Sequence, residues 1–234
     1  MKIALLGYGK MGKEIEKIAL QKGHEITIKY SGKGLYNIKK ADIAIDFSLP
    51  KVAYKNIVHC INNSVPVVSG TTGWLEKYEA ATEFCRKKGG AFFYSSNFSL
   101  GVNIFFELNK QLAKMMKPLN QYKISIEEIH HNQKLDSPSG TAISLAEDII
   151  NNSDKTSWTL NQSLPSEESI PIKAVRTGDI PGTHSVYYSS KEDTINIKHC
   201  AKNRQGFALG AVIAAEWLID KTGVFTMQNL LNLG

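Results

Sequence analysis

Cysteine is scarce in this sequence, and long apolar runs are missing. The three cysteines, Cys60, Cys85 and Cys200, are an odd number without C-x-x-C spacing. No run of 18 apolar residues could form a transmembrane helix, and the chain begins directly on a strand pattern without a signal peptide. We therefore expect a reduced, cytoplasmic protein without a membrane partner.

A basic stripe of the kind that binds nucleic acid is also missing, although the chain is basic. The formal net charge is +6. The lysines are scattered and are not interleaved with aromatic residues, so an anionic small molecule is a better partner than nucleic acid. With 234 residues, of which 42% are hydrophobic, the composition is that of a soluble globular protein, for which we expect two lobes.

A glycine-rich turn follows the first predicted strand. Residues 2–6 are mostly apolar, and residues at helical spacing continue from the turn to Gly23. In this strand-turn-helix setting G-x-G-x-x-G predicts close approach of a dinucleotide pyrophosphate to a helix N-terminus. The alternative is a turn that only packs a helix on a strand. The candidate cofactor-binding residues here are Gly7, Tyr8, Gly9, Lys10, Met11 and Gly12.

The second predicted strand, residues 25–30, has no acid at its end. A dinucleotide fold usually places Asp or Glu there to bind the adenosine ribose. Lys29, Ser31 and Lys33 surround the position instead. This set would tolerate or attract a 2′-phosphate, unless it is only a solvated basic loop.

Strands at 41–48, 65–69 and 91–95 alternate with helices and predict a doubly wound parallel sheet. Each strand ends in small polar residues, where such sheets bind ligands. These residues suit the polar parts of a dinucleotide, although they are also common turn formers. The candidates are Phe47, Gly70, Thr71, Thr72, Ser95, Ser96, Asn97 and Phe98.

From residue 102 the pattern changes and predicts a second lobe. Strands at 122–129, 172–175, 185–190 and 194–200 indicate a second, mostly antiparallel sheet, with a helix at 141–151. Residues 151–169 are polar and predict a long exposed excursion. A largely apolar helix at 207–221 could pack back on the first lobe.

The stretch 128–141 contains candidate acid/base groups beside a predicted helix start. The pKa of imidazole lies near neutrality, so His130 and Lys134 are candidates for proton transfer. Ser139, Gly140 and Thr141 open the helix, where unpaired N–H groups favour a carboxylate or phosphate. The alternative is a polar loop with an ordinary Ser/Thr helix cap.

Together these motifs resemble the dihydrodipicolinate reductase family over nearly the whole chain. Of the motifs, His130-His131-x-x-Lys134 followed by Ser139-Gly140-Thr141 is highly specific. The others, in chain order, are the glycine turn, Asp46-Phe47-Ser48, Gly70-Thr71-Thr72-Gly73, Asn97-Phe98-Ser99-x-Gly101-Val102 and Arg176-x-Gly178-x-x-x-Gly182-x-His184.

The resemblance implies reduction of the cyclic imine 4-hydroxy-tetrahydrodipicolinate by NADH or NADPH, with loss of water, in the diaminopimelate and lysine pathway. It implies an α/β fold in which residues 1–101 form a Rossmann-type dinucleotide-binding domain that 207–234 complete. Residues 102–206 would form an α+β mixed-sheet domain for substrate binding and oligomerisation in a homotetramer.

The resemblance also implies roles for individual residues. His130 and Lys134 match catalytic proton donors, and residues 7–12, 70–72 and 95–98 match the cofactor site. Ser31 and Phe47 are further cofactor-binding candidates because of their positions at strand ends. The predicted substrate-binding residues are His131, Ser139, Gly140, Thr141 and Arg204. Two departures leave the cofactor open: the glycine turn is one residue shorter than in many members, and the ribose-binding acid is missing.

Three other interpretations of the function remain. Another nicotinamide enzyme, such as an aspartate-type dehydrogenase, would share the first lobe but gives no reason for the Lys134 spacing. A metal hydrolase using His130, His131 and Asp136 is weaker, because adjacent residues on an extended segment point to opposite faces, and we predict no metal. The last is a non-enzymatic redox sensor that binds a dinucleotide.

Overall fold

The computed structural model describes residues 1–161, 166–203 and 205–233. The chain divides into two compact units, Met1–Leu100 with Gln205–Gly234, and Gly101–Arg204. The sequence-based boundaries were 101/102 and 206/207. Among the described residues, no helix is both long and apolar enough to span a membrane.

A six-stranded parallel sheet forms the centre of the first unit, in the order β11-β5-β4-β3-β1-β2. Its strands are β1 (Lys2–Leu6), β2 (Glu25–Tyr30), β3 (Ile43–Asp46), β4 (Val67–Ser69), β5 (Ala91–Tyr94) and β11 (Gly223–Phe225). Its helices are α1 (Lys10–Gln21), α2 (Pro50–Asn62), α3 (Tyr78–Lys88), α6 (Gln205–Leu218) and α7 (Met227–Leu231). The predicted doubly wound parallel sheet is confirmed.

Helices cover both faces of this sheet, which is why its central strands are mostly apolar. Ile3 and Leu5 of β1 pack in one cluster with α1 and α6, whereas Ala4 and Leu6 pack in the other with α2 and α3. The packing of α6 on the first unit confirms the prediction for the C-terminal helix. Gly210 permits the contact, because a Cβ there would lie 1.7 Å from the Phe98 carbonyl oxygen.

The second unit has a five-stranded sheet in the order β10-β9-β6-β8-β7. Its strands are β6 (Lys123–His130), β7 (Ser157–Leu160), β8 (Ser169–Arg176), β9 (Gly182–Ser189) and β10 (Thr194–Ala201). Helix α5 (Gly140–Asn152) packs on one face of this sheet, as does the C-terminal part of α4 (Leu100–Met116). Ile126, Ile172 and Val186 form the centre of the shared core.

Two predictions about elements were wrong, and two elements were missed. The predicted excursion at 151–169 contains β7, which pairs with β8; residues 162–165 of this stretch lie outside the described part. The mixed sheet that the resemblance implies is confirmed, but the sheet is not mostly antiparallel, because β6 and β7 both run parallel to β8. Strand β11 and helix α7 were not predicted. These short elements depend on pairing with distant partners, such as β5 for β11, which a local pattern does not reveal.

Candidate functional site

The predicted cofactor-binding residues all follow the carboxyl ends of neighbouring strands in the first unit. The glycine turn follows β1, Ser31 follows β2, and Phe47 follows β3. Gly70–Thr72 follow β4, and Ser95–Phe98 follow β5. Because these strands are adjacent and parallel, their ends bring the predicted residues to one edge of the sheet.

The glycine turn forms a narrow backbone cradle. Gly7 has a φ of +96°, and a Cβ there would lie 2.0 Å from the Phe47 carbonyl oxygen. A Cβ at Gly12 would lie 2.4 Å from the Gly7 carbonyl oxygen, so both positions require glycine. A Cβ at Gly9, in contrast, would meet no described atom within 4 Å.

Gly9 is also the N-cap of α1, and no side chain caps that helix end. The first turn of α1 has no acidic residue. Its unpaired N–H groups and positive dipole end therefore face the open space beside Gly9 without a competing carboxylate. These features fit a dinucleotide pyrophosphate, whose binding needs close approach of the backbone.

A buried acid, Asp46, organises the ends of β3 and β4. Its carboxylate accepts hydrogen bonds from the side chains of Ser48, Asn56, Ser69 and Thr71. Burial raises the pKa of Asp46, although these hydrogen bonds oppose the rise. The Thr71 hydroxyl also accepts the Ser48 N–H at 2.9 Å, so it is committed to the protein interior.

Phe47 and the loop after β5 complete this edge of the sheet. A Cβ at Gly70 would lie 2.2 Å from the Phe47 ring, so the glycine makes room for the aromatic side chain. The Phe47 and Phe98 ring centroids are 5.6 Å apart. Ser95 holds the turn by donating to the Asn97 carbonyl oxygen at 2.7 Å. Thr72 and Ser96 are exposed.

The basic residues near the carboxyl end of β2 make different contacts. Lys29 forms an ion pair with Glu16 of α1, and Glu16 also accepts a hydrogen bond from the Tyr8 hydroxyl. These two contacts, with that from Lys29 the larger, lower the pKa of Glu16. Ser31 and Lys33 are exposed. Lys29, one of the two lysines predicted to lie near the ribose, therefore already forms an ion pair with an acidic residue.

In the second unit, the loop after β6 is held by backbone hydrogen bonds to the loop between β8 and β9. The His131 N–H donates to the Ile180 carbonyl oxygen at 2.9 Å, and the Asn132 N–H donates to Gly178 at 3.2 Å. Lys134 Nζ lies 2.7 and 2.8 Å from the two carboxylate oxygens of Asp136. The hydrogen bond from Lys134 lowers the pKa of Asp136.

His130 ends β6 and is only 6% exposed. A Cβ at Gly182 would lie 3.0 Å from its Nε2, so the glycine of the Arg176-to-His184 motif makes space for this ring. Burial, assisted by His184, lowers the pKa of His130 to about 4, while Glu128 opposes the change. Burial thus favours the neutral imidazole in the free protein, and the pKa of His130 lies well below that of an unperturbed imidazole.

Helix α5 begins with the predicted Ser-Gly-Thr segment. Ser139 is its N-cap, and the Ser139 hydroxyl accepts the Ala142 N–H at 3.2 Å. In the described part of the chain the N–H groups of Gly140 and Thr141 and the Thr141 hydroxyl have no hydrogen-bond partner. Ser139 therefore caps the helix from the protein interior. The N–H groups of the next two residues remain available to bind an anion.

The sequence reasoning gave no role to Glu128, although Glu128 is central to the second unit. Its carboxylate, 0% exposed, accepts hydrogen bonds from the Ser139 N–H and from Arg176 Nη2 at 2.8 Å. His184 lies directly opposite Glu128 in the pairing of β6 with β9. The strand period could have identified Glu128, because residues two apart, such as Glu128 and His130, share a face.

Potential ligand atoms of Glu128, His130 and His184 lie within 4.8 Å of one another. The geometry alone would permit a metal ion, but both Glu128 oxygens already accept hydrogen bonds, and the Arg176 guanidinium would repel a cation. The predicted trio of a metal hydrolase, His130, His131 and Asp136, is not among the metal-like clusters of the described residues. Arg204, a predicted substrate-binding residue, lies outside those residues.

Sequence comparison identifies the relatives of the chain. The family described as dihydrodipicolinate reductase, N-terminus, matches residues 1–98, and the corresponding C-terminal family matches residues 101–231. The chain belongs to the dihydrodipicolinate reductase family. The N-terminal and C-terminal halves of the sequence, which both contain the predicted motifs, thus match the corresponding halves of one family.

Members of the dihydrodipicolinate reductase family are similar to the chain over its full length. A 4-hydroxy-tetrahydrodipicolinate reductase of Christiangramia forsetii is 56% identical over 99% of this chain and 98% of the relative. The Staphylococcus aureus protein of the same name is 35% identical over 98% of this chain and 100% of the relative. A dipicolinate-bound dihydrodipicolinate reductase from a Paenisporosarcina species shares the fold, with a TM-score of 0.80 at 21% identity over 98% of both chains.

Proposed function

We propose that this protein reduces 4-hydroxy-tetrahydrodipicolinate to tetrahydrodipicolinate and water, with NADH or NADPH, in the synthesis of diaminopimelate and lysine. The 56% identity with a reductase of that name over the full chain carries the proposal. The two candidate sites support it independently. One unit has a cradle for a dinucleotide, and the other has a cation, imidazoles and an anion cradle suited to a dicarboxylate.

The first unit would hold the cofactor by its backbone. The N–H groups at the start of α1 would bind the pyrophosphate, and Gly70, Thr72 and Ser96 would contact the remaining polar parts. Thr71 would contribute through its backbone, because its hydroxyl is bonded to Asp46. The cofactor supplies a hydride, and its chemistry needs no metal ion from the protein.

The second unit would bind the substrate and deliver the proton that the reduction consumes. The N–H groups of Gly140 and Thr141 and the Thr141 hydroxyl would bind one carboxylate, with His131 nearby in sequence. The Lys134 ammonium would serve as a proton donor. His130 is neutral in the free protein, so a bound dicarboxylate would have to raise its pKa before it could donate a proton.

We also propose a cytoplasmic homotetramer, whose interface includes the sheet of the second unit. One sheet face packs on α4 and α5. The opposite face carries partly buried residues, among them Glu127, Ile129 and Tyr187. A sheet usually buries its second face when that face is partly apolar, and another subunit could cover it. Light scattering of the purified protein measures the number of subunits.

One assay tests the proposed activity. The imine is generated enzymatically, and the absorbance of NADH or NADPH is followed after addition of the protein. Oxidation of the cofactor that depends on both imine and protein supports the proposal. Absence of turnover with cofactor binding intact would favour the redox sensor. Turnover with another amino or imino dicarboxylate, but not with the imine, would indicate a different dehydrogenase.

A further inference from the structure

Glu128 is a fully buried carboxylate surrounded by groups from four parts of the second unit. Its two oxygens each lie 3.1 Å from the backbone nitrogen of Ser139, the N-cap of α5. Arg176, at the end of β8, approaches one oxygen to 2.8 Å. The other oxygen lies 3.6 Å from His184 Nε2 on β9 and 3.5 Å from His130 Nδ1 on β6. None of these contacts exposes Glu128 to a ligand.

The contact with Ser139 ties Glu128 to the proposed substrate cradle. Ser139 directly precedes Gly140 and Thr141, so fixing its N–H fixes where those two residues begin the helix. The Ser139 hydroxyl lies 3.0 Å from His184 Nε2 and gives a second attachment. Moving this N-cap by even 1 Å would misplace a bound carboxylate.

The contact with His130 ties the same carboxylate to the proposed proton donor. The His130 and His184 rings lie 5.0 Å apart at 70°, and the Nδ1 of His130 has no hydrogen-bond partner in the described part of the chain. The Glu128 carboxylate is therefore the nearest negative charge that can stabilise a positive charge on this ring. Burial raises the pKa of Glu128, but the nearby His184 ring and hydrogen bonds from Ser139 and Arg176 outweigh it and hold the pKa at about 2.

We infer that Glu128 is a positioning residue for the proposed reaction, which fixes the N-cap of the substrate cradle and stabilises the charged form of His130. This inference rests on the proposed function. The groups that face His130 have opposite effects on its charge. Glu128 favours the imidazolium, whereas His184, Lys134 and Arg176 oppose it. Without the carboxylate, only repulsive neighbours would remain.

The test compares Glu128→Gln with Glu192→Gln, which removes the same charge from the turn between β9 and β10. Glu192 is exposed, and neither the proposed site nor the proposed subunit interface includes this turn. Three properties of metal-free protein are measured: kcat/KM for the imine, affinity for dipicolinate, and the His130 pKa by NMR titration. For Glu128→Gln we expect at least a tenfold loss in the first two and a lower His130 pKa, with Glu192→Gln like wild type.

Circular dichroism and thermal unfolding report whether the variant is folded, because cofactor binding would report only on the first unit, which does not contain Glu128. If Glu128→Gln does not fold, Glu128→Asp keeps the charge but withdraws it from Ser139. Its expected result is weaker dipicolinate binding with a His130 pKa near that of wild type. A Glu128 variant that equals Glu192→Gln in all three measurements would overturn the inference.

Two further outcomes separate this inference from the proposed function. If wild type does not reduce the imine, the proposed function fails, and the NMR titration still decides whether Glu128 stabilises charged His130. An unchanged His130 pKa would then overturn the inference. Purified wild type that retains one equivalent of zinc, lost in Glu128→Gln, would also overturn it in favour of a metal centre at Glu128, His130 and His184.

Discussion

The glycine turn of the first unit consists mainly of backbone groups, whereas the Glu128 network of the second unit consists of ionisable side chains. In the turn, glycines leave space around the backbone N–H groups that we propose bind an anion, and the first turn of α1 has no acidic residue. In the network, ionisable side chains are buried against one another, and the neighbours of each group set its pKa. The turn should therefore be sensitive to added atoms, and the network to a change of charge.

The largest expected effect separates proton delivery from cofactor binding. His130→Gln and Lys134→Gln should each lower kcat by roughly 10²- to 10⁴-fold, because each removes a proposed proton donor. Binding of NADH or NADPH should stay near normal. Steady-state kinetics and fluorescence titration measure the two quantities. Lys191→Gln, an exposed lysine in the turn between β9 and β10, is the control, and near-wild-type kcat in both donor variants would contradict the assignment.

A smaller loss is expected when only the anion cradle is changed. Thr141→Val keeps the shape of the side chain but removes its hydroxyl, so substrate binding should weaken by about 1 to 3 kcal/mol. Cofactor binding should not change. Calorimetry with dipicolinate and with the cofactor measures both. Equal losses for the two ligands would mean that Thr141, and not only Ser139, stabilises the start of α5.

The glycine turn offers a pair of variants that separate ligand binding from folding. Gly9→Ala adds a Cβ into open space, so we expect little change in thermal unfolding but a cofactor Kd raised about tenfold, or about 1.4 kcal/mol. Gly12→Ala places a Cβ 2.4 Å from a backbone oxygen and should lower the unfolding temperature as well. If Gly9→Ala binds the cofactor like wild type, the turn only packs α1 on β1.

The smallest expected effect concerns the choice between NADH and NADPH. Lys29 is paired with Glu16, and an exposed ion pair contributes only about 0.2 to 1 kcal/mol, so we expect dual use or an NADPH preference below about tenfold. Ser31→Glu should shift the kcat/KM ratio toward NADH. Glu16→Gln should release Lys29 and shift the ratio a few-fold toward NADPH. Strong selectivity of wild type for NADH would mean that a residue outside this loop recognises the ribose.

Features that depend on neighbouring residues could be predicted from the sequence alone. The apolar strand, the glycine turn and the spacing of α1 predicted the first β-α unit, and repetition of the pattern predicted a parallel sheet. The Ser-Gly-Thr segment predicted the start of α5 for the same reason: a helix cap is decided within one turn of the chain. The His130 and Lys134 motif was specific enough to indicate the family.

Which side chains meet, and which charges they carry, depends on how distant parts of the chain pack together. The register of β6 with β9 places His184 opposite Glu128, and burial then lowers the pKa of His130. Packing of α1 beside β2 pairs Glu16 with Lys29 and leaves Lys33 exposed. These outcomes depend on residues far apart in the chain. Strand register and desolvation are properties of the assembled core, so local sequence patterns do not contain them.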